Sequence, residues 1–585
     1  MRHFLITVIG VVIGIFAFFF VAFVILFGFG LLGAFSESMK PKPPQVLSFD
    51  MRKPLPDHGT GDTLFGSSTG IVDVVRKLDA AKSDERIKGL FIRADSFGLA
   101  PASAEELRLA IQDFKSSGKF VIAHAQGFES PSLFPYMTVA GVDELWMQDT
   151  TGFAVSGIHA ESEFYGGVME KLGAKPQFEQ FYEYKNAVNQ YTETDFTDAH
   201  REASTAYLTS LYDNATNHMA LDRDMSVEAI KNLLNTSPHS AETALEAGLV
   251  DKMGHIEAVK SYVKNKAGGK TAIFISVADY KKKPQLTGPA IAYIGGEGAV
   301  VNGPSSLGGP FGGSVTMGGD TLAKAFDDAA KDKSVKAIVF RVSSPGGSPS
   351  ASDQILAAAE RAQEVGKPVV ISMGQYAASG GYYVAATADK IVAMPTTITG
   401  SIGVFGGKLA LEDTFAKVGF NIESITIGGE YAGVYSPDTP FTNYQQEAYR
   451  GQLEDIYEDF TSRVAKGRNM SIERVNEIAK GRVWTGEQAK DIGLVDELGG
   501  ISKAISIAKE LADIDEDTKV RLKRFPRTPS TSEQIEQLLN GVAQMQSDIS
   551  TLREITALPE VQSALKMRNT VKMGEEMKAD LLEVE

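Results

Sequence analysis

The chain repeats itself, and that limits what it can fold into more than any other feature. Ile87-Lys88-Gly89-Leu90-Phe91-Ile92-Arg93 recurs as Val335-Lys336-Ala337-Ile338-Val339-Phe340-Arg341, at an offset of 248. At that same offset Gly118-Lys119-Phe120-Val121-Ile122-Ala123 recurs as Gly366-Lys367-Pro368-Val369-Val370-Ile371. Gly248-Leu249-Val250-Asp251 returns as Gly493-Leu494-Val495-Asp496. Each copy alternates short apolar, β-branched runs with amphipathic stretches such as 102–115 and 351–364. Runs of that length separated by helical crossovers predict an α/β fold with a largely parallel sheet, built twice. The copies span 46–283 and 284–512, joined near Lys281-Lys282-Lys283-Pro284.

The two copies have decayed in complementary places. In the second, the strand-like Lys367–Ser372 leads into Gly374-Gln375-Tyr376-Ala377-Ala378-Ser379-Gly380-Gly381-Tyr382-Tyr383. A serine between small residues at a strand-to-helix turn exposes its hydroxyl beside free N–H groups, as an acyl-transfer nucleophile requires. A helix-capping serine with packing glycines has the same signature. Upstream, the strand 335–342 opens into Ser343-Ser344-Pro345-Gly346-Gly347-Ser348, whose backbone N–H groups can present half of an oxyanion hole. Thr399-Gly400-Ser401-Ile402-Gly403 supplies a further hydroxyl. Opposite these motifs the first copy has Ser96-Phe97-Gly98-Leu99 and Pro131-Ser132-Leu133, so the paired glycines and the nucleophile are gone.

The first copy instead keeps Phe181-Tyr182-Glu183-Tyr184-Lys185-Asn186-Ala187-Val188, an aromatic, strand-like run reaching a lysine where the second copy has Tyr431. One site assembled from both copies would produce this division. A lysine desolvated by apolar neighbours such as Tyr184 falls towards a neutral amine and can act as a general base, and Ser-Lys is an established pairing. The serine-bearing half has no histidine, since all eight lie at or before His255; His124, His159 or His200 from the first copy would be needed for a Ser-His arrangement.

Composition narrows the field. The chain has 585 residues with 43% hydrophobic and 23% charged, a globular balance, and its net charge of −16 disfavours nucleic acid and a polybasic grip on anionic lipid. It has no cysteine, which removes disulfides and thiolate catalysis, and no HExxH or i, i+4 histidine pair, so neither metal nor cofactor is expected. Phe4 to Phe35 is free of charge for 32 positions, enough to span a bilayer with tilt and longer than the apolar core of a cleaved leader. Residues 1–36 are therefore expected to form an uncleaved transmembrane anchor, and 37–45, with Lys40-Pro41-Lys42-Pro43-Pro44, a stiff spacer. Flanking charges (Arg2 against Lys40 and Lys42) do not fix its orientation. An extension, 513–585, lies outside both repeats: Lys519 to Phe525 is strand-like, and Ser530 to Glu533 suggests a cap before an apolar series from Ile535 to Leu552.

Anchor, tandem repeat, S-P-G-G-S, M-G-x-x-A-A-S-G-G-Y-Y, T-G-S-I-G-V and Y-K-x-A-V together resemble the protease IV group of serine peptidases (signal peptide peptidase A, peptidase family S49) in its long, membrane-anchored bacterial form. The resemblance implies two crotonase/Clp-protease-like domains, with Ser379 as nucleophile, Lys185 as general base and Ser401 orienting the lysine. Gly380, Gly346 and Gly347 would hold the oxyanion. It further implies an endopeptidase that clears released signal peptides and other apolar peptides. Such a protein would be a homotetramer, single-pass in the inner membrane, with catalytic domains facing the periplasm. Two other readings use the same fold: an acyl-CoA enzyme, and a non-catalytic membrane scaffold.

Overall fold

A computed structural model describes residues 43–59, 68–95, 98–129, 132–281, 287–309 and 312–527. The expected anchor, most of its spacer and the apolar series after Ser530 lie outside the described residues. Among the described residues no helix is long and apolar enough to cross a membrane.

The described residues divide into two compact units: those within 43–54, 74–160 and 212–281 form one, and those within 55–73, 161–211 and 287–527 form the other. The first holds a six-stranded parallel sheet in the order Lys252–Met253, Glu144–Met147, Phe120–Ala125, Ile87–Arg93, Gln45–Asp50, Ile273–Ser276. The second holds an eight-stranded sheet whose path is Val483–Thr485, Ile398–Gly400, Val369–Ala378, Val335–Ser344, Ala290–Glu297, Arg521–Phe525. Lys390–Ala393 and Glu497–Leu498 complete it alongside Val369–Ala378. The strand expected near 519–525 is therefore the sheet's edge, parallel to Ala290–Glu297.

The duplication is visible in polar bonds as well as strand order. In the first unit the Lys119 amine donates to the carbonyls of Ala81 and Asp84, Asp143 accepts from Val121 N–H, Asp251 from Leu145 N–H, and Tyr136 donates to Leu249 O. The second unit repeats each bond with Lys367 to Ala329 and Asp332, Asp389 to Val369, Asp496 to Ile391, and Tyr382 to Leu494. The aspartates tie the start of one strand to its neighbour, and the lysines and tyrosines tie strand starts and helices to carbonyls of adjoining helix ends and loops, satisfying polar groups that burial would otherwise leave bare. Tyr382 answers Tyr136, so the residue matching Ser379 is Leu133, two positions beyond the sequence alignment. That half has an apolar residue at the nucleophile's place.

Burial explains the composition of the central strands. Val335–Ser344 is buried at every position but Lys336, as expected of a parallel strand covered on both faces. The core of the second unit gathers Phe326, Phe340, Ile355, Ile371, Tyr382 and Phe460 around this strand and the neighbouring Val369–Ala378. At the end of the same two strands sit Ser344 and Ala378, and immediately after them the glycine loop and Ser379.

The segment 161–211 comes from the first repeat in sequence but belongs to the second compact unit. What ties it there is an antiparallel two-stranded ribbon, in which Lys175–Phe181 pairs residue by residue with Val404–Ala410. Arg450 and Gln446 reach Glu179 from the helix Asn443–Arg468. The ribbon ends at Phe181 opposite Val404, and the chain then turns into the lysine-bearing segment.

Candidate active site

Strand Val369–Ala378 stops at Ser379, which caps the short helix Gly380–Tyr383. Ser379 has φ 53° and ψ −121°, a conformation costly for a residue with a side chain. Bonds on both sides hold it there: Ser379 N–H donates to Gly400 O at 2.9 Å, while its carbonyl accepts from Tyr382 and Tyr383 N–H, each at 2.9 Å. The turn lifts the side chain out of the sheet and leaves the first helical N–H groups without intrahelical acceptors.

The Pro345–Gly347 loop crosses directly in front of it. Gly346 (φ 109°) lies so close that a Cβ there would stand 2.7 Å from Ser379 Cβ and 2.8 Å from Gly380 N. A Cβ on Gly380 would stand 3.1 Å from Gly347 N, so these two amide nitrogens share one small space. Gly346 N–H itself donates to Ser344 Oγ at 3.2 Å, within the loop. Gly346 O and Ser348 N–H bind Val300, fixing the loop to the strand Ala299–Val301.

Lys185 occupies a tight turn after the ribbon, before the 3-10 turn Asn186–Val188, where sequence alone suggested a continuing strand. Its amine lies 3.2 Å from Ser379 Oγ, 2.9 Å from Ser401 O and 3.0 Å from Ser401 Oγ. Lys185 is only 4% exposed. Burial is the cause that pushes its amine down from the usual lysine range to about 7. Ser401 also has positive φ (49°), and its N–H donates to Arg482 O at 2.7 Å. All six residues singled out in sequence therefore meet within one compact unit. Of the histidines weighed against the lysine, His200 lines the same cavity, while Lys185 holds the place beside the hydroxyl.

The site opens into a cavity of about 750 Å³. Its lining includes polar groups of Ser379, Lys185 and Ser401 and an apolar part with Val404, Leu453, Ile456 and Phe460. Helix Asn443–Arg468 supplies much of that apolar wall. Sequence reasoning passed over it because its polar residues dominate and only six of its positions are buried, Gln445, Leu453, Tyr457, Phe460, Thr461 and Val464. Gly481 was missed too. It reads as a helix-terminating glycine, yet a Cβ there would meet Lys185 Cβ at 2.6 Å.

Comparison with known proteins identifies the family. Residues 113–270 and 361–515 match peptidase family S49, one stretch in each repeat. The chain is 33% identical over 494 residues to "Protease 4" of Salmonella typhi, covering 79% of this chain and 76% of that one. It is 31% identical over 490 residues to "Serine protease SPPA, chloroplastic" of Arabidopsis thaliana, covering 82% and 70%. A shorter stretch of 193 residues is 33% identical to "Putative signal peptide peptidase SppA" of Enterococcus faecium, covering 33% of this chain and 56% of that protein.

Proposed function

Because this chain belongs to peptidase family S49 and is a serine peptidase, we propose that it cleaves apolar peptides, released signal peptides above all, with Ser379 as nucleophile and Lys185 as general base. The single observation that carries this is a buried lysine amine 3.2 Å from the hydroxyl of a serine on a strained strand-to-helix turn. A neutral amine has two N–H bonds and one lone pair. With the N–H bonds given to Ser401 O and Ser401 Oγ, the lone pair is directed at Ser379. Ser401 thus orients the base.

Lys185 takes the Ser379 proton as the oxygen attacks the scissile carbonyl, and the resulting ammonium returns it to the leaving amine. Water then hydrolyses the ester, with Lys185 again accepting the proton. The tetrahedral oxyanion is held by the N–H groups of Gly347 and Gly380, which share the space in front of Ser379. Gly346, whose N–H is turned to Ser344, contributes by bringing the loop into van der Waals range of the nucleophile. The apolar wall of the cavity suits aliphatic and aromatic substrate side chains. In this reading residues 1–36 anchor the enzyme in the inner membrane, the catalytic part faces the periplasm as a homotetramer, and substrates arrive as peptides left in the bilayer.

The test uses the full-length protein in detergent with a synthetic signal peptide. Parent protein should fragment the peptide and label with a fluorophosphonate, and Ser379→Ala should do neither. Fragmentation that survives in Ser379→Ala would overturn the reading. The pH profile gives a second check. Only the neutral amine accepts a proton, so activity is lost as pH falls through the folded-state value of about 7. The logarithm of kcat/KM should therefore rise with unit slope below about 7 and level off above it. A profile flat between about pH 6 and 8 would remove Lys185 as the base.

A further inference from the structure

Lys185 does not stand on a regular element, so something must hold its turn against the Ser401 turn. Residues 479–484 do this from the far side. Lys480 and Gly481 both take positive φ (55° and 79°), which swings the chain across the back of Lys185. There Gly481 lies against the lysine's own backbone, its absent Cβ 2.7 Å from Lys185 Cα and N. Gly481 N–H donates to Ile402 O at 2.8 Å, and the next carbonyl, of Arg482, accepts from Ser401 N–H at 2.7 Å. The chain continues into the strand Val483–Thr485, paired with Ile398–Gly400.

The side chain of Arg482 closes the arrangement. Its guanidinium lies 4.8 Å from the centre of the Tyr184 ring and 4.6 Å from that of Trp484, between the two. Both terminal nitrogens donate to Glu202, at 2.6 and 2.8 Å. Glu202 stands on the helix Asp198–Arg223, and Tyr184 immediately precedes Lys185. One residue therefore grips the lysine through its neighbour and grips the lysine's orienting serine through its own carbonyl. The carbonyl bond belongs to the backbone and survives any substitution; the grip on Tyr184 belongs to the side chain, whose planar fork stacks on the ring while bonding Glu202 bidentately, which a lysine's point charge cannot do.

We propose that Arg482 is a positioning residue for proton transfer between Ser379 and Lys185, with Glu202 anchoring it. This rests on the Ser-Lys reading above. Arg482 has no place in the substrate cavity, so its loss should slow turnover without weakening substrate binding. The expected result for Arg482→Met is a kcat lower by about 30- to 100-fold with KM within about threefold, as a misplacement of the base by a fraction of an ångström would give. Arg482→Lys should recover only part of that loss. Glu202→Gln should lower kcat by about three- to tenfold alone and by almost nothing in the Arg482→Met background, because the anchor has no purpose without the guanidinium.

All variants are assayed as full-length protein with a fluorogenic apolar peptide, alongside thermal unfolding. A kcat for Arg482→Met within about threefold of the parent, or losses for the two sites that multiply, would overturn the proposal. Should Arg482→Met fail to fold, Arg482→Lys and Glu202→Gln decide: parent-like kcat in both overturns it. Lys185→Met separates the two layers of the argument. If that variant stays active the dyad itself is wrong and the positioning role falls with it. If it is inactive while the Arg482 variants turn over normally, only the positioning role falls.

Discussion

Lys185→Met should be inactive, folded and more stable at neutral pH than the parent. The loss of activity follows from geometry: among the described residues Lys185 is the one that places a basic nitrogen in hydrogen-bond range of the Ser379 hydroxyl, so turnover should fall by on the order of 10⁴ or more, as it does when a nucleophile's base is removed elsewhere. The gain in stability follows from burial. An amine held at about 7 in the folded state, against an ordinary 10.5, binds fewer protons folded than unfolded between those values. Stability of the parent therefore rises with pH across that window and is lowest below about 7, where folding opposes a charged or forcibly neutral amine. At pH 7 the penalty is on the order of 4 kcal/mol. Methionine, of similar length, removes it but leaves Ser401 O without its donor, which costs about 1–3 kcal/mol. The net should be a higher denaturant midpoint at pH 7, with the difference shrinking towards pH 10. Equal midpoints at both pH values, or activity within about a hundredfold of the parent, would contradict the assignment of a neutral buried base.

This trade sets the serine and the lysine apart from the rest of the molecule, and it explains what the sequence disclosed. Comparing the copies exposes Ser379 and Lys185 because each stands out against a repeat that lost it: in the sequence Pro131 lies opposite the serine (Leu133 in the structure) and Tyr431 opposite the lysine. The parallel strands were legible for a simpler reason, since Val335–Ser344 and Val369–Ala378 are buried on both faces and must be nearly all apolar. The turn at Tyr182–Lys185 was not legible. Its aromatic residues have high strand propensity, and the strand ends only because the partner Val404–Ala410 gives out. The reassignment of 161–211 to the second unit was hidden similarly, because ribbon pairing between residues more than two hundred positions apart leaves no local trace. Arg482 was invisible because the aromatic residue that gives it a role, Tyr184, is distant in sequence, and beside Trp484 alone it looks like any surface arginine. Its meaning lies in Tyr184 and Glu202, which no spacing rule connects to it.

Gly346→Ala should reduce kcat/KM by at least about a thousandfold, more than removal of a single oxyanion donor usually does. Two separate effects combine. The added methyl would sit 2.7 Å from Ser379 Cβ, pressing on the nucleophile, and 2.8 Å from Gly380 N, inside the space where an oxyanion would be received. Neither neighbour can retreat cheaply, because Ser379 is pinned through its N–H to Gly400 and Gly346 O is bound by Val300 N–H. The substitution also carries a backbone cost, since φ there is 109°. Gly366→Ala isolates that cost: it too has positive φ, 78°, but a Cβ there meets nothing within 4 Å. Gly366→Ala should lose about 1–2 kcal/mol of stability and keep full kcat. Gly346→Ala should lose more stability than that, because steric overlap adds to the backbone cost, and nearly all turnover; its labelling by a fluorophosphonate should slow in parallel, because that reagent needs the same oxyanion contacts. Peptide cleavage by Gly346→Ala within about tenfold of the parent would mean that the loop does not face the reacting carbonyl, and the oxyanion donors would have to be sought elsewhere.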